Sequence, residues 1–310
     1  MQNLAFVFPG QGSQAVAMLS ELAEHEIVKS TFSEASQALG YDLWQLVSEG
    51  PAEKLNQTNF TQPALLTASV AVWRLFKEQS TAVPEFLAGH SLGEYSALVC
   101  AEVLSLTDAV KLVEKRGEFM QEAVPAGTGA MSAVIGLADD KIIEACAQAQ
   151  GDEVVSAVNL NSPGQVVIAG NKAAVERAGE LCKEQGAKRV LPLPVSVPSH
   201  CALMKPAADK LALALESIEF KTPVIKVINN VDVAIENDAT AIKQALIKQL
   251  YSPVRWTETV ELMAKNGTEK VVEAGPGKVL QGLIKRIEKQ IKSVSLNDAA
   301  SLTNALEMVK

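Results

Sequence analysis

Phe86-Leu87-Ala88-Gly89-His90-Ser91-Leu92-Gly93 is the stretch that decides how this chain is read. Phe86, Leu87 and Ala88 make a short buried strand, and a helical pattern resumes over 94–101, so a glycine-flanked serine sits at a strand-to-helix turn. Gly89-His90-Ser91-Leu92-Gly93 matches G-x-S-x-G, the nucleophile elbow, in which small flanking residues let a strained turn push the serine hydroxyl clear of the sheet. The bare motif recurs by chance, and an ordinary turn with a serine near a helix N-cap competes with it. The strand before and the helix after favour the elbow.

Outward from this turn, Leu4–Phe8 reads as a second buried strand. Pro9-Gly10-Gln11-Gly12-Ser13 breaks it and leaves a loop at its end. Helical patterns cover 28–39, 62–78 and 108–121. From Gly129 the rhythm becomes strand 130–135, helix 139–148, strands 154–159 and 165–169, helix 172–185 and strand 188–191. That β-α-β-β-α-β order is the order of a ferredoxin-like unit. After Pro192, Pro194 and Pro198 come helix 204–215, strand 224–228, helix 239–250, helix Trp256–Lys265, strand 270–273 and helix 278–288. Such alternation implies a mostly parallel sheet covered on both faces. The expected fold is α/β: an α/β-hydrolase-like catalytic domain from residues 1–126 and 198–310, with a ferredoxin-like small subdomain inserted at 127–197.

With 48% hydrophobic and 21% charged residues in a chain of 310, the sequence can bury a substantial core, and no tract reads as disordered. A formal charge of −8 argues against binding a phosphate backbone, so no nucleic-acid partner is expected. Lys183, Lys188 and Arg189, and Lys285 and Arg286, read as solvated helix ends, although such patches leave room for an acidic partner. Cys100, Cys146, Cys182 and Cys201 lack C-x-x-C spacing and read as buried free thiols; no metal-ligand spacing is present. Met1 to Phe8 lacks a basic start before a long apolar run, and no stretch reaches the ~18 apolar residues of a membrane span, so a cytoplasmic chain with no membrane partner is expected.

A serine hydroxyl is a weak nucleophile near neutral pH and needs a neighbouring base, most commonly histidine. Three histidines are present. His25 lies between Glu24 and Glu26 in an acidic segment, and strand alternation points His90 away from Ser91. His200 is left, 109 positions after Ser91, in the loop where the insert rejoins the main domain and a cleft is expected. A lone loop histidine is more often structural; elimination among three reverses that. The base's second nitrogen must also be held, usually by a carboxylate. Asp209, Asp232 and Asp238 qualify by order, none lies in a motif, and a backbone carbonyl would serve as well. Amides of Gly10-Gln11-Gly12-Ser13-Gln14 could join the Leu92 amide in an oxyanion hole, or could simply make a tight turn. Arg116, 25 residues past the serine, shares a helix with Asp108, Lys111, Glu114, Lys115 and Glu118, which read as solvated. Most arginines so placed are solvated too; one facing the cleft would clamp a substrate carboxylate in bidentate fashion.

The elbow extended through Glu94-Tyr95 stands beside Phe8-Pro9-Gly10-Gln11-Gly12-Ser13-Gln14, Gln62-Pro63-Ala64, Arg116-Gly117, Asn161-Ser162-Pro163-Gly164-Gln165, Pro198-Ser199-His200 and Glu273-Ala274-Gly275-Pro276-Gly277. In this order the motifs resemble the malonyl-CoA:acyl carrier protein transacylases of bacterial type II fatty acid synthesis, which are similar to the acyltransferase domains of polyketide synthases. The resemblance spans nearly the whole chain. It implies Ser91 as the acyl-enzyme nucleophile, His200 as general base and acid, the amides of Gln11 and Leu92 as the oxyanion hole, and Arg116 as the malonate clamp. It also supplies the missing histidine partner: in this family a main-chain carbonyl holds the ring, and the matching position is Gln249 in Lys248-Gln249-Leu250-Tyr251-Ser252-Pro253. The Asn-Ser-Pro-Gly-Gln stretch belongs to the family's small subdomain, beside the cleft. Malonyl-CoA is implied as donor substrate and acyl carrier protein as partner, in a ping-pong reaction between thioesters of similar energy that needs no permanently bound cofactor, ATP or metal.

Three other readings share parts of this sequence. A serine hydrolase or thioesterase uses the same elbow, and an apolar pocket in place of Arg116 would favour it. A non-catalytic carrier-protein-binding module is disfavoured by the pair Ser91 and His200. An acyltransferase for another extender unit differs by groups as small as a methyl, worth only ~1–3 kcal/mol in an apolar pocket; Leu92 after the serine resembles malonyl-type rather than methylmalonyl-type domains. A chain with its own complete site can work alone, so a monomer is expected.

Overall fold

The computed structural model describes residues 3–125, 127–195 and 197–310, so the expected domain boundary at residue 126 lies outside the described residues. The first part of the chain forms β1 (Leu4–Phe8), α1 (Glu26–Leu39), α2 (Leu43–Glu49), α3 (Ala52–Leu55), α4 (Thr58–Gln79), β2 (Phe86–Gly89), α5 (Leu92–Cys100) and α6 (Leu106–Glu122). Then follow β3 (Gly129–Ile135), α7 (Asp139–Ala149), β4 (Val155–Ser162), β5 (Gln165–Asn171), α8 (Lys172–Glu184) and β6 (Arg189–Pro192). The last part forms α9 (Lys205–Glu216), β7 (Lys226–Ile228), α10 (Ala239–Gln249), α11 (Trp256–Lys265), β8 (Lys270–Ala274), α12 (Val279–Ile287), β9 (Lys292–Leu296) and α13 (Ala299–Val309). Among the described residues no helix is long and apolar enough to cross a membrane.

β1 is an unbroken apolar run because it is covered on both faces: all five of its residues are buried. It forms the middle of a parallel five-stranded sheet in the order β7-β2-β1-β8-β9. On one face lies α4, apolar nearly all round and therefore buried, where Phe6 meets Trp73 and Phe76 edge-on with ring centroids 4.9 Å apart in each pair. On the other, Val7, Phe86 and Ile228 pack against Trp256 and Val260 of α11 and Leu283 of α12. Phe8 of β1 pairs with Gly89 of β2, and Val7 with Glu273 of β8. Three loops therefore leave the same edge of the sheet together, at the carboxyl ends of the strands, where open α/β sheets place their clefts.

The segment from β3 to β6 makes a separate antiparallel sheet in the order β4-β5-β3-β6, the ferredoxin-like arrangement expected from its element order. Its α7 and α8 cover one face through Ile142, Cys146, Val175 and Cys182. The opposite face, with Met131, Val158, Val167 and Ala169, packs on Cys201 beside His200. Backbone bonds stitch its β4 edge to the large sheet's side of the molecule, from Val254 N to Val158 O at 2.8 Å and from Leu160 N to Val254 O at 3.0 Å. The two sheets so joined enclose a cleft.

Three details differ from the sequence expectation. β6 falls where a strand is expected, so the basic pair Lys188 and Arg189 marks a strand start and not a helix end, and α5 begins at Leu92, next to the serine. The elements α2, α3, β9 and α13 went unrecognised; β9 reads Lys-Ser-Val-Ser-Leu, the alternation of a short edge strand, too brief to separate from a loop.

Candidate active site

The elbow is built by close approach. A Cβ on Gly89 would stand 1.8 Å from the carbonyl carbon of Gly93, and one on Gly93 would stand 2.0 Å from the oxygen of Phe8. Both positions must be glycine for the turn to close against the end of β1. Between them Ser91 takes φ 53°, ψ −107°, a conformation that L residues rarely adopt and that lifts its hydroxyl out of the sheet.

His200 also has a positive φ, of 65°, in the loop that rejoins the large sheet. Its Nε2 is 2.8 Å from Ser91 Oγ, and its Nδ1 is 2.7 Å from the main-chain oxygen of Gln249. A carbonyl can only accept, so Nδ1 carries the proton and Nε2 faces the serine hydroxyl as an acceptor. Burial, reinforced by the charge of Arg116, pushes this imidazole down to about 3, so it is neutral at physiological pH. None of the three aspartates joins it: Asp232 pairs with Lys248 at 2.6 Å, Asp238 caps α10, and Asp209 is exposed.

Arg116 faces inward. α6 can approach α4 because residue 117 is glycine; a Cβ there would lie 2.6 Å from Asn59 Cα. That close crossing leaves Arg116 1% exposed, one helix position away, while Asp108, Lys111, Lys115 and Glu118 on the same helix are exposed and Glu114 is half-buried. The guanidinium donates from Nη1 to Gln62 Oε1 at 2.9 Å, and from Nη2 to Gln249 Oε1 at 2.9 Å and Ser91 Oγ at 3.2 Å. It stands over the Tyr95 ring, 5.4 Å from the centroid. All these partners are neutral, and among the described residues Nε has none.

These groups open on a cleft of about 330 Å³ whose walls come from both sheets, with Gln11, Leu92 and Met120 on one side and Met131, Asn159 and Val195 on the other. Among the described residues the main-chain amides of Gln11 and Leu92 donate to no acceptor. A serine beside a neutral imidazole, two free amides and a buried cation can accept an acyl group that carries an anion.

Residues 5–304 match the model of the acyl transferase domain. At 65% identity the chain is similar to the malonyl CoA-acyl carrier protein transacylase of Haemophilus influenzae, covering 99% of both chains, and at 62% to that of Escherichia coli K12, covering 99% of this chain and 100% of the other. The chain belongs to the malonyl CoA-acyl carrier protein transacylase family. It is an acyltransferase. A solved acyl carrier protein S-malonyltransferase from Vibrio cholerae is 66% identical with TM-score 0.96, covering 98% of this chain and 99% of that one. A malonyl-transacylase solved in complex with a type II polyketide synthase acyl-carrier protein is 60% identical with TM-score 0.97, with the same coverage.

In this transacylase the residues singled out from sequence meet at one place: Ser91, His200, Arg116 and Gln249 are in contact, and Gln11 and Leu92 line the same cleft. His90 turns away from the serine, as alternation requires, and its Nε2 lies 2.8 Å from Asn161 Oδ1 of β4. Glu273 has a structural place, accepting at 3.0 and 2.7 Å from the amides of Leu280 and Gln281 at the start of α12. Two buried polar groups stand behind the serine. Glu94 and Asn230, 2% and 0% exposed, bind each other, Gln249 and the elbow backbone. Glu94 was visible only as part of a motif, and Asn230 only as the second of two asparagines after β7.

Proposed function

We propose that this enzyme moves a malonyl group from malonyl-CoA to the phosphopantetheine thiol of acyl carrier protein through an ester on Ser91. The observation that carries the reading is Arg116, a buried guanidinium aimed at the nucleophile whose hydrogen-bond partners among the described residues are all neutral. Leaving such a charge unpaired is costly, and a substrate with a carboxylate one carbon from its thioester would meet it in bidentate fashion.

His200 Nε2 takes the Ser91 proton as Oγ attacks the thioester carbonyl; the Gln249 carbonyl, accepting from Nδ1–H, steadies the imidazolium that forms. Negative charge on the former carbonyl oxygen falls to the free amides of Gln11 and Leu92. Collapse breaks the C–S bond, and the departing coenzyme A thiolate takes the proton from His200. The carrier's thiol then enters, His200 removes its proton, the sulfur attacks the ester, and Ser91 leaves with the proton restored. Thioester is exchanged for thioester, so the balance needs no other reactant.

The same reading treats residues 127–197 as the small subdomain and the remainder as the catalytic domain, working as a monomer because one chain supplies every group named. Four buried, unpaired thiols fit a reducing compartment and support the cytoplasm. The deciding experiment is intact-protein mass after brief exposure to malonyl-CoA without carrier protein, beside acetyl-CoA. A malonyl adduct absent from Ser91→Ala and much reduced in Arg116→Ala is expected. Rapid release of free malonate with no adduct would replace transfer by hydrolysis.

A further inference from the structure

The parallel pairing of β2 with β7 ends at Ala88 and Ile228, just before the elbow turns away. Beyond it, a side chain takes over from the backbone ladder: Asn230 Nδ2 donates to Gly89 O at 2.7 Å, and its Oδ1 accepts from Ser91 N at 2.7 Å. The peptide groups on both sides of His90 are thus held by one buried amide.

The following peptide is held by another. Gln249 Nε2 donates to Ser91 O at 3.0 Å, beside the Glu94 main-chain amide at 3.1 Å. In a trans peptide the C=O and the next N–H point to opposite sides, so fixing the Ser91 carbonyl on the protein side directs the Leu92 N–H into the cleft. The Gln249 amide can do this only with its NH₂ toward the Ser91 carbonyl and its oxygen toward the donor-only Arg116. Glu94 holds it in that orientation: its Oε2 accepts from Gln249 Nε2 at 2.8 Å and from Asn230 N at 2.9 Å, while Gln249 Oε1 accepts from Arg116. Both donors reach one oxygen of Glu94, so a carboxamide oxygen in the same place can accept both bonds.

We infer that Glu94 and Asn230 are positioning residues of the acyl transfer, holding the Gln249 amide and the Ser91 peptide so that the Leu92 N–H is aimed at the oxyanion. The inference rests on the proposed Ser91 ester. Neither residue touches substrate; each acts through groups that do.

The test is the single-turnover rate of Ser91 acylation by malonyl-CoA, with the dissociation constant for malonyl-CoA measured separately in the Ser91→Ala background. Losing one oxyanion donor costs roughly 10²–10³ in rate, so Glu94→Leu and Asn230→Ala are each expected to acylate about a hundredfold more slowly while binding changes by less than about threefold. Glu94→Gln, which keeps an acceptor oxygen, is expected to recover to within a few-fold of wild type. Should Glu94→Leu not fold, Asn230→Ala decides by the same two readings. Acylation within threefold of wild type in Asn230→Ala, or equal losses in Glu94→Gln and Glu94→Leu, would overturn the inference. So would weaker binding that accounts for the whole loss, because that is damage to the site at large. A wild-type enzyme that forms no Ser91 ester would instead overturn the reading beneath it, before any variant is compared.

Discussion

Arg116 Nη2 stands 3.2 Å from Ser91 Oγ, although one residue lies on α6 and the other on the turn before α5, and among the described residues the guanidinium hydrogen-bonds only neutral groups. Truncating one partner of a buried charge-assisted pair costs about 2–5 kcal/mol. Arg116→Ala is therefore expected to lower kcat/KM for malonyl-CoA by roughly 10²–10³-fold, with a much smaller effect on acetyl-CoA, which has no carboxylate to lose. Arg116→Lys should not restore malonyl transfer, because an ammonium lacks the planar fork that reaches Gln62 and Gln249 together. Steady-state kinetics with both donors checks this, and equal losses on both would remove the clamp.

Gly117→Ala should separate folding from clamping. Its Cβ would meet backbone atoms of α4 at 2.6 to 2.8 Å, so α6 must move outward. Overpacking of this kind costs about 1–3 kcal/mol, leaving a folded protein with a lowered Tm. Arg116 moves with the helix, and malonyl transfer should fall at least tenfold by the sensitivity of such sites to ~1 Å displacements. Circular dichroism and an activity assay on one preparation read both effects.

The pH dependence of stability should carry a signature of His200. Its folded value of about 3 lies below the ordinary histidine value of 6.5, so between these limits the unfolded chain binds the extra proton and stability falls as pH falls. A His200→Ala variant lacks that liability. Its stability relative to wild type should therefore rise by about 1 kcal/mol per pH unit below about 6.5. Parallel denaturant titrations at pH 7, 6 and 5 would show the difference; a gap that does not change with pH would mean the imidazole titrates normally.

Thiol chemistry should be silent in the native enzyme. All four cysteines are buried, and desolvation lifts Cys146 to about 12 and Cys201 to about 11, far from the thiolate needed for reaction. A disulfide reagent at pH 8 should label no cysteine quickly, and all four once denaturant is added. Fast labelling of Cys201 with loss of activity would show that the His200 loop opens in solution.

Much of this was legible before any coordinates. Ser91 could be read because two glycines and a strand-to-helix switch are local features, and His200 because only three histidines compete. The ferredoxin-like unit could be read from its element order. Arg116 stood between two readings, since its helix presents charged residues on every turn and only the crossing at Gly117 decides which way it faces. Asn230 carried no usable signal: the elbow groups it holds, in Gly89, Ser91 and Glu94, are between 136 and 141 positions away.

The sequence by itself determined the α/β alternation, the elbow and the inserted unit, because apolar periodicity and glycine placement act over a few residues. Only the tertiary structure decided that an arginine and a histidine meet at one serine, with a glutamine carbonyl behind the histidine. Each arrives on a different element, brought there by strand register and helix crossing, and the burial that strips water from Arg116 and His200 exists only once those elements have packed.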